Sequence, residues 1–445
     1  MKTNILFSLT LLVLANAASG DTVSQPARPE TGPLRITPEL ITQFAEEMRT
    51  KHPALQAAEA TVAAAVANEA TVRRWEDPML RFGGMAAETM MRADEGDLLY
   101  GIEQKLPLFG KPQASRSLAR AETGVATADA EFRFQRLRRD LALAVFQTAL
   151  ADRVVEIGRQ DLDWLETLVA VAKHRYEAGD TTQLDVLRLQ NERARRQTRL
   201  QTETDMRGQA RVNLNRLLNR PLDSPWPNLL LPDVARPVAY SPRLMELALK
   251  FEPGISLRRQ QVTQAEAAVT VARRERYPDV SVGAEARNYT GNGEFRQGML
   301  MLGFNLPLGN RKRYAAAIRR EQARAQSIEL ELADAELALR NEIHELIVRI
   351  DAARREALVF QDEIAPRSRA ALASAQAAWE SGRGMMIDLL DARRMLLEAQ
   401  VMQARAVAEQ YEWLSDLVLC CGIGDLEALE MIGALPEQQN GEDTR

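Results

Sequence analysis

Histidine and cysteine are nearly missing from this 445-residue chain, at three and two residues. His52, His174 and His344 are scattered, and the His-Glu-Leu at 344 lacks the second histidine of the zinc-protease pattern. No phosphate-binding loop appears, and no G-x-S-x-G nucleophile turn. The chain therefore reads as a non-enzyme, with no catalytic residues, no cofactor and no metal-ligand set. Cys420 and Cys421 are adjacent, a spacing poorly suited to a mutual disulfide. Two thiols alone make a poor metal site, so they read as small buried residues near a helix end. Aromatics are also scarce, 5% against 46% hydrophobic residues. Ala, Leu and Val supply most of the rest, which suits long helices packed through narrow seams rather than a bulky core. No basic excess exists: the net charge is −5, and Arg and Glu are interspersed along helical stretches. That argues against a nucleic-acid partner. Nor is there a long apolar run. Ile5 to Leu14 is too short to span a bilayer as a helix. With Lys2 before it and Ala15-Asn16-Ala17 or Ala18-Ser19-Gly20 after it, the segment 1–20 reads as an export signal. No cysteine stands near either cleavage point to carry a lipid anchor.

What is present is written twice. Leu106-Pro107-Leu108 recurs as Leu306-Pro307-Leu308, 200 positions on, and Pro78 recurs as Pro278. The stretch around Gly179 recurs around Gly382, at an offset of 203. Each copy reads helix, two strands, long helix, tight turn, helix. The first copy is expected over 21–220, a Pro-rich linker over 221–241, the second copy over 242–424 and a polar tail over 425–445. Thr37-Pro38 is a helix start, and one helix is expected from there to about Arg74. Asp77-Pro78 stops it. Two strands follow, with Leu98, Tyr100, Ile102 and Leu106 on one face and Leu99, Glu103 and Lys105 on the other. Lys111 to about Ala178 holds no interior breaker, and Val155, Gly158, Leu162, Leu165, Val169, Ala172 and Tyr176 step by three and four as a heptad seam. Helix resumes from the turn at Gly179 to about Asn219. In the second copy one helix is expected over about 241–276, then Val280, Val282, Ala284 and Ala286 share a strand face opposite Ser281, Glu285 and Arg287. Leu300, Leu302, Phe304 and Leu306 share a face of the next strand. The long helix that starts near Arg311 should kink or divide at Pro366.

A helix on the order of 100 Å long cannot fold into a compact domain, and four amphipathic strands cannot stand alone. An open sheet leaves unpaired edges, and in lipid those edges must close. Strands of this length can cross a bilayer when tilted. Several chains would then pool their strands; a soluble sheet with one wet face is the alternative.

The Leu-Pro-Leu-Phe-Gly-Lys passage, its echo, and "RYEAGDTTQLDVL" resemble the TolC family of outer-membrane efflux channels over most of the chain, from about Thr37 to Gly424. The resemblance implies a mainly α fold with a small β part. Three chains would build a twelve-stranded β-barrel in the outer membrane and a coiled-coil α-barrel through the periplasm. It implies a passive exit duct, a homotrimer whose partners are outer-membrane lipid, a periplasmic adaptor and an inner-membrane pump. "WEDPMLRFG" with "QKLPLFGKPQ" is closer to the heavy-metal branch than to the drug branch. A periplasmic adaptor and a coiled-coil protein without a pore are the rival readings; neither explains a 200-residue duplication with two strand pairs.

Two groups of residues follow. Gly179 and Gly382 end long helices, where glycine takes a left-handed conformation. Asp180, Thr181 and Thr182, with Arg383, Gly384 and Met385, fill the helix-to-helix turns. The resemblance implies that these turns meet the adaptor, although Ala-Gly-Asp and Ser-Gly-Arg depart from the family's Val-Gly-Leu. Asp388 and Asp391 lie three apart on one helix face. In a trimer they would set six carboxylates around a constriction, a ring that selects cations. The plainer role of an Asp near a helix start is to favour the macrodipole, and Asp185 reads that way. The pairs Met90-Met91 and Met385-Met386 offer thioethers for soft metals or simple gap-filling.

Overall fold

The computed structural model describes residues 32–72, 74–85, 97–290, 293–306 and 308–422. The export signal, the polar tail, Met90-Met91 and Pro307 lie outside the described residues.

The chain opens with β1 (Leu34–Arg35), α1 (Pro38–Lys51) and α2 (Pro53–Thr71), then β2 (Met79–Met85) and β3 (Asp97–Leu106). α3 (Lys111–Glu177) and α4 (Gln183–Leu217) form a hairpin, followed by β4 (Leu229–Leu230). The second half repeats the order: α5 (Pro242–Phe251), α6 (Pro253–Glu275), β5 (Asp279–Tyr289) and β6 (Phe295–Asn305). Then come α7 (Arg311–Val359), α8 (Ala365–Glu380) and α9 (Met386–Cys421).

Two expected single helices are each two. His52 has an extended backbone before Pro53 and ends α1, and its Nδ1 accepts the Ala54 amide at 3.2 Å to start α2. Glu252 does the same before Pro253, its carboxylate accepting the Ile255 amide at 2.5 Å. The residue before proline is pushed out of the helical region, so helix propensity on either side does not carry through. Pro366 has the milder effect foreseen for it. A π-helical segment, Phe360–Ile364, joins α7 to α8, because proline has no amide to continue the ladder. The buried stripe resumes at Ala365 and Ser368 and leaves Ile364 half-buried.

The interior is long and thin. One cluster gathers Met48, Leu141, Phe146 and Leu214 around Trp226; a second gathers Leu244, Ile255, Ile343 and Leu417. The 220–240 segment crosses the helices as a strap. β1 and β4 pair in parallel, the buried Gln410 amide bonds both the N–H and C=O of Ala235 at 3.0 and 3.1 Å, and Asp152 accepts the Leu229 amide at 2.9 Å. These contacts satisfy backbone groups that would otherwise be buried bare. Cys420 and Cys421 are buried free thiols; burial raises both pKa values, Cys421 to about 12. At α9's end Gly422 has φ +60, and a Cβ there would meet the Phe251 carbonyl oxygen at 2.1 Å, so only glycine fits the close approach.

Candidate channel surfaces: a two-faced sheet and two hairpin tips

The four long strands form one antiparallel sheet in the order β2-β3-β5-β6. Paired residues share a face. The register sets Leu80 opposite Ile102, Ile102 opposite Ala284 and Ala284 opposite Leu300. That face is apolar and open: Phe82 is 78% exposed and Leu300 89%. The other face carries charge. Arg81 pairs with Glu103 across β2 and β3, and Arg287 pairs with Glu285 at 3.6 Å. Lys105 bonds Glu76 at 2.8 Å and lies 3.5 Å from Asp279, which also holds Lys111 at 2.7 Å. Hydrocarbon suits the first face and water the second. β2 and β6 are edges without a partner within the described chain. No helix among the described residues is long and apolar enough to cross a membrane.

From the sheet, α3 runs unbroken for 67 residues, about 100 Å, to the first tip. Its cap is a Schellman turn. Gly179 has φ +85, its amide bonds the Tyr176 carbonyl at 3.0 Å, and the Asp180 amide bonds the Arg175 carbonyl at 2.8 Å. The second tip repeats this: Gly382 has φ +73, with amide bonds from Gly382 to Trp379 at 3.1 Å and from Arg383 to Ala378 at 2.9 Å. The returning helices differ. At α4, Thr182 Oγ1 accepts the Asp185 amide at 3.3 Å, and the Thr181 and Thr182 hydroxyls donate to the Asp185 carboxylate at 3.2 and 2.9 Å. α9 starts at Met386, and Met385 before it makes no side-chain capping bond among the described residues. Instead Gly384 presses on the end of α8, where a Cβ would lie 2.8 Å from Ala378 Cβ. Arg175 joins the tips, donating to the Trp379 carbonyl at 2.9 Å with its guanidinium 4.7 Å from that ring's centre. Met385 is exposed and Met386 buried. The two sulfurs therefore serve different surroundings, Met386 packing with Leu389 and Leu390 in the core behind the tips.

Asp388 and Asp391 are both exposed near the start of α9. They are not equivalent. Asp391 has Arg394 at 3.5 Å, and Arg394 reaches across to Glu192 of α4 at 3.0 Å. The sequence reading overlooked Arg394, although its spacing of three from Asp391 was a visible signal. It also overlooked a buried bridge further along the hairpins. Asp161 of α3, with a side chain 4% exposed, receives Arg393 of α9 at 2.8 Å and Arg196 of α4 at 3.4 Å; Arg196 also holds Glu203 at 2.8 Å. Gly158 makes the room, since a Cβ there would sit 1.9 Å from an Arg196 nitrogen. In the heptad pattern Gly158 looked like a seam position; it is the slot for a guanidinium. Tyr176, expected to end that seam, is 46% exposed. No cluster of metal-ligating His, Cys, Asp or Glu side chains occurs among the described residues.

A two-faced four-stranded sheet at one end of long helices, with paired hairpin tips at the other, is the fold of outer-membrane channel subunits. CusC superposes with a TM-score of 0.77 at 16% identity, covering 90% of this chain and 96% of that one. VceC from Vibrio cholerae gives 0.72 at 18%, covering 86% and 96%. The outer membrane efflux protein model matches residues 45–220 and 244–422, and the chain belongs to that family. It is also similar to the cobalt-zinc-cadmium resistance protein CzcC of Cupriavidus metallidurans, 23% identical over 288 residues, 62% of this chain. That match spans 65% of the relative's length.

Proposed function

We propose that the protein is the exit duct of a three-component efflux machine, working as a homotrimer. The carrying observation is the sheet: an exposed apolar face, a charged face and two unpaired edges. Lipid, water and neighbouring copies supply what each lacks, and twelve strands close a barrel. Substrate passes through, driven by an inner-membrane pump. The tip residues Gly179 to Thr182 and Gly382 to Met385 meet a periplasmic adaptor. Asp388 and Asp391 line the opening between the tips. Their cation preference is uneven, because Arg394 offsets Asp391 while Asp388 has no such partner among the described residues. Likeness to a cobalt-zinc-cadmium resistance protein supports divalent metal cations as cargo.

Two experiments test this reading. Purified protein in a planar bilayer should conduct, and reversal potentials in a salt gradient should show cation preference that falls in Asp388→Ala with Asp391→Ala. Unchanged reversal potentials refute the aperture assignment, and no conductance favours the coiled-coil reading without a pore. A clean deletion strain should become sensitive to cobalt, zinc and cadmium salts. Sensitivity confined to drugs, dyes and bile salts sinks the metal cargo and leaves the duct.

A further inference from the structure

All four strand-to-helix junctions lie along one edge of the sheet, because the strands alternate in direction and pair in near-flush register there, Leu106 with Val280 and Asp279 with Asn305. Each junction carries at least one cation close in sequence to an aromatic residue. Arg74-Trp75 precedes β2; Phe109 and Lys111 follow β3; Arg273, Arg274, Arg276 and Tyr277 precede β5; Arg311, Lys312, Arg313 and Tyr314 follow β6. Phe109 and Tyr277 stack at 5.4 Å and 7°, with the Arg276 guanidinium 5.1 Å from the Tyr277 ring. Trp75 is 52% exposed.

Some exposed arginines elsewhere find carboxylates, as Arg355 finds Asp351 at 2.7 Å and Arg367 finds Glu363 at 3.0 Å, and others, such as Arg319 and Arg369, make no ion pair among the described residues. Here Lys111 is held by Asp279, but Arg74, the three arginines before β5 and the three cations after β6 make no ion pair with an acidic side chain among the described residues. Two nearby acids, Glu76 and Asp279, are engaged by Lys105 and Lys111. At the start of α7 the cations also face the positive end of the helix dipole, an arrangement that an outside anion relieves.

Moving off the sheet, the surface passes from exposed aliphatic side chains (Ile102, Leu302, Leu306) to rings, of which Trp75 and Phe109 are exposed, and then to cations without an acidic partner among the described residues. That order matches a bilayer leaflet, from hydrocarbon through interface to phosphate. We propose that the junctions form a basic collar that binds the phosphates of anionic phospholipids in the periplasm-facing leaflet. The proposal rests on the outer-membrane duct reading. Anionic lipid is the fit because a zwitterionic headgroup brings its own cation to oppose the arginines.

The test is native mass spectrometry of the full chain released from neutral-detergent micelles doped with equal phosphatidylglycerol and phosphatidylcholine. Parent protein should retain phosphatidylglycerol in roughly tenfold excess, attenuated from the factor of about five available per cation by screening. Changing Arg273, Arg274, Arg276, Arg311, Lys312 and Arg313 together to Gln should bring retention near parity. Arg355→Gln with Arg367→Gln should leave it unchanged. If the sixfold variant misfolds, the two triple variants are read separately, each losing part of the preference. Parity in the parent, or full preference in the variants, overturns the collar. Loss of the preference on adding millimolar inorganic phosphate also overturns it, by reassigning the site to a free anion. Conductance on the same preparation separates the two readings: a conducting pore without lipid preference sinks the collar and leaves the duct, whereas absence of conductance sinks both.

Discussion

The two hairpin tips share one turn and differ in how the chain returns. Both outgoing helices end on a left-handed glycine in a Schellman turn. The first return is pinned by Thr182 and Asp185; the second has no side-chain cap and depends on Gly384 lying against Ala378. Charge differs too. At the repeat's offset Asp388 matches Asp185 but Asp391 matches Arg188. The first tip therefore holds an Asp185–Arg188 pair at 3.7 Å within α4; at the second, Asp391 pairs with Arg394 at 3.5 Å within α9, and Arg394 also reaches Glu192 of α4 at 3.0 Å. Duplication preserved the backbone device and let the side chains diverge.

The sharpest way to break the comparison is to cut what couples the hairpins. Asp161→Ala leaves Arg393 and Arg196 buried with one partner fewer and should cost about 3–5 kcal/mol in denaturant unfolding of the detergent-solubilised protein. Next comes a titration present in one copy alone: Glu412 matches the neutral Gln209. Burial, with Glu409 and Asp416 adding, raises the Glu412 pKa from 4.5 to about 7, while Gln147 and Arg139 oppose the shift. The folded protein thus holds this proton more tightly than the unfolded chain. Its stabilisation is complete below pH 4.5 and is lost as pH rises through about 7. Glu412→Gln should flatten the fall in Tm across that window, and a parent Tm that rises there contradicts the account.

Smaller effects separate the tips themselves. Gly384→Ala forces backbone to shift and should cost about 1–3 kcal/mol. Gly179→Ala and Gly382→Ala meet open space but positive φ, so each should cost about 1–2 kcal/mol, and by similar amounts. Thr182→Ala should cost about 1 kcal/mol, and Met385→Thr should recover a cap of that order at the second tip. If Met385→Thr does nothing while Thr182→Ala destabilises, the second return is held by Gly384 alone.

Much of this was legible in one dimension. Period two put Tyr100 and Ile102 on the face opposite Glu103 and Lys105. The absence of breakers set α3's length, and glycines at matching places marked the turns, because these are local consequences of backbone geometry. Pro53 and Pro253 were equally visible, but whether a proline starts a helix or interrupts one depends on the caps that His52 and Glu252 supply. Arg393 and Asp161 are 232 positions apart, and nothing in either neighbourhood announces the pair. Gly158 looked like a seam residue until Arg196 occupied its place. Periodicity belongs to the sequence because each helix or strand repeats its own geometry; the partner of a buried charge belongs to the tertiary structure, because only packing brings distant helices within a few ångströms and removes the water that would otherwise solvate it.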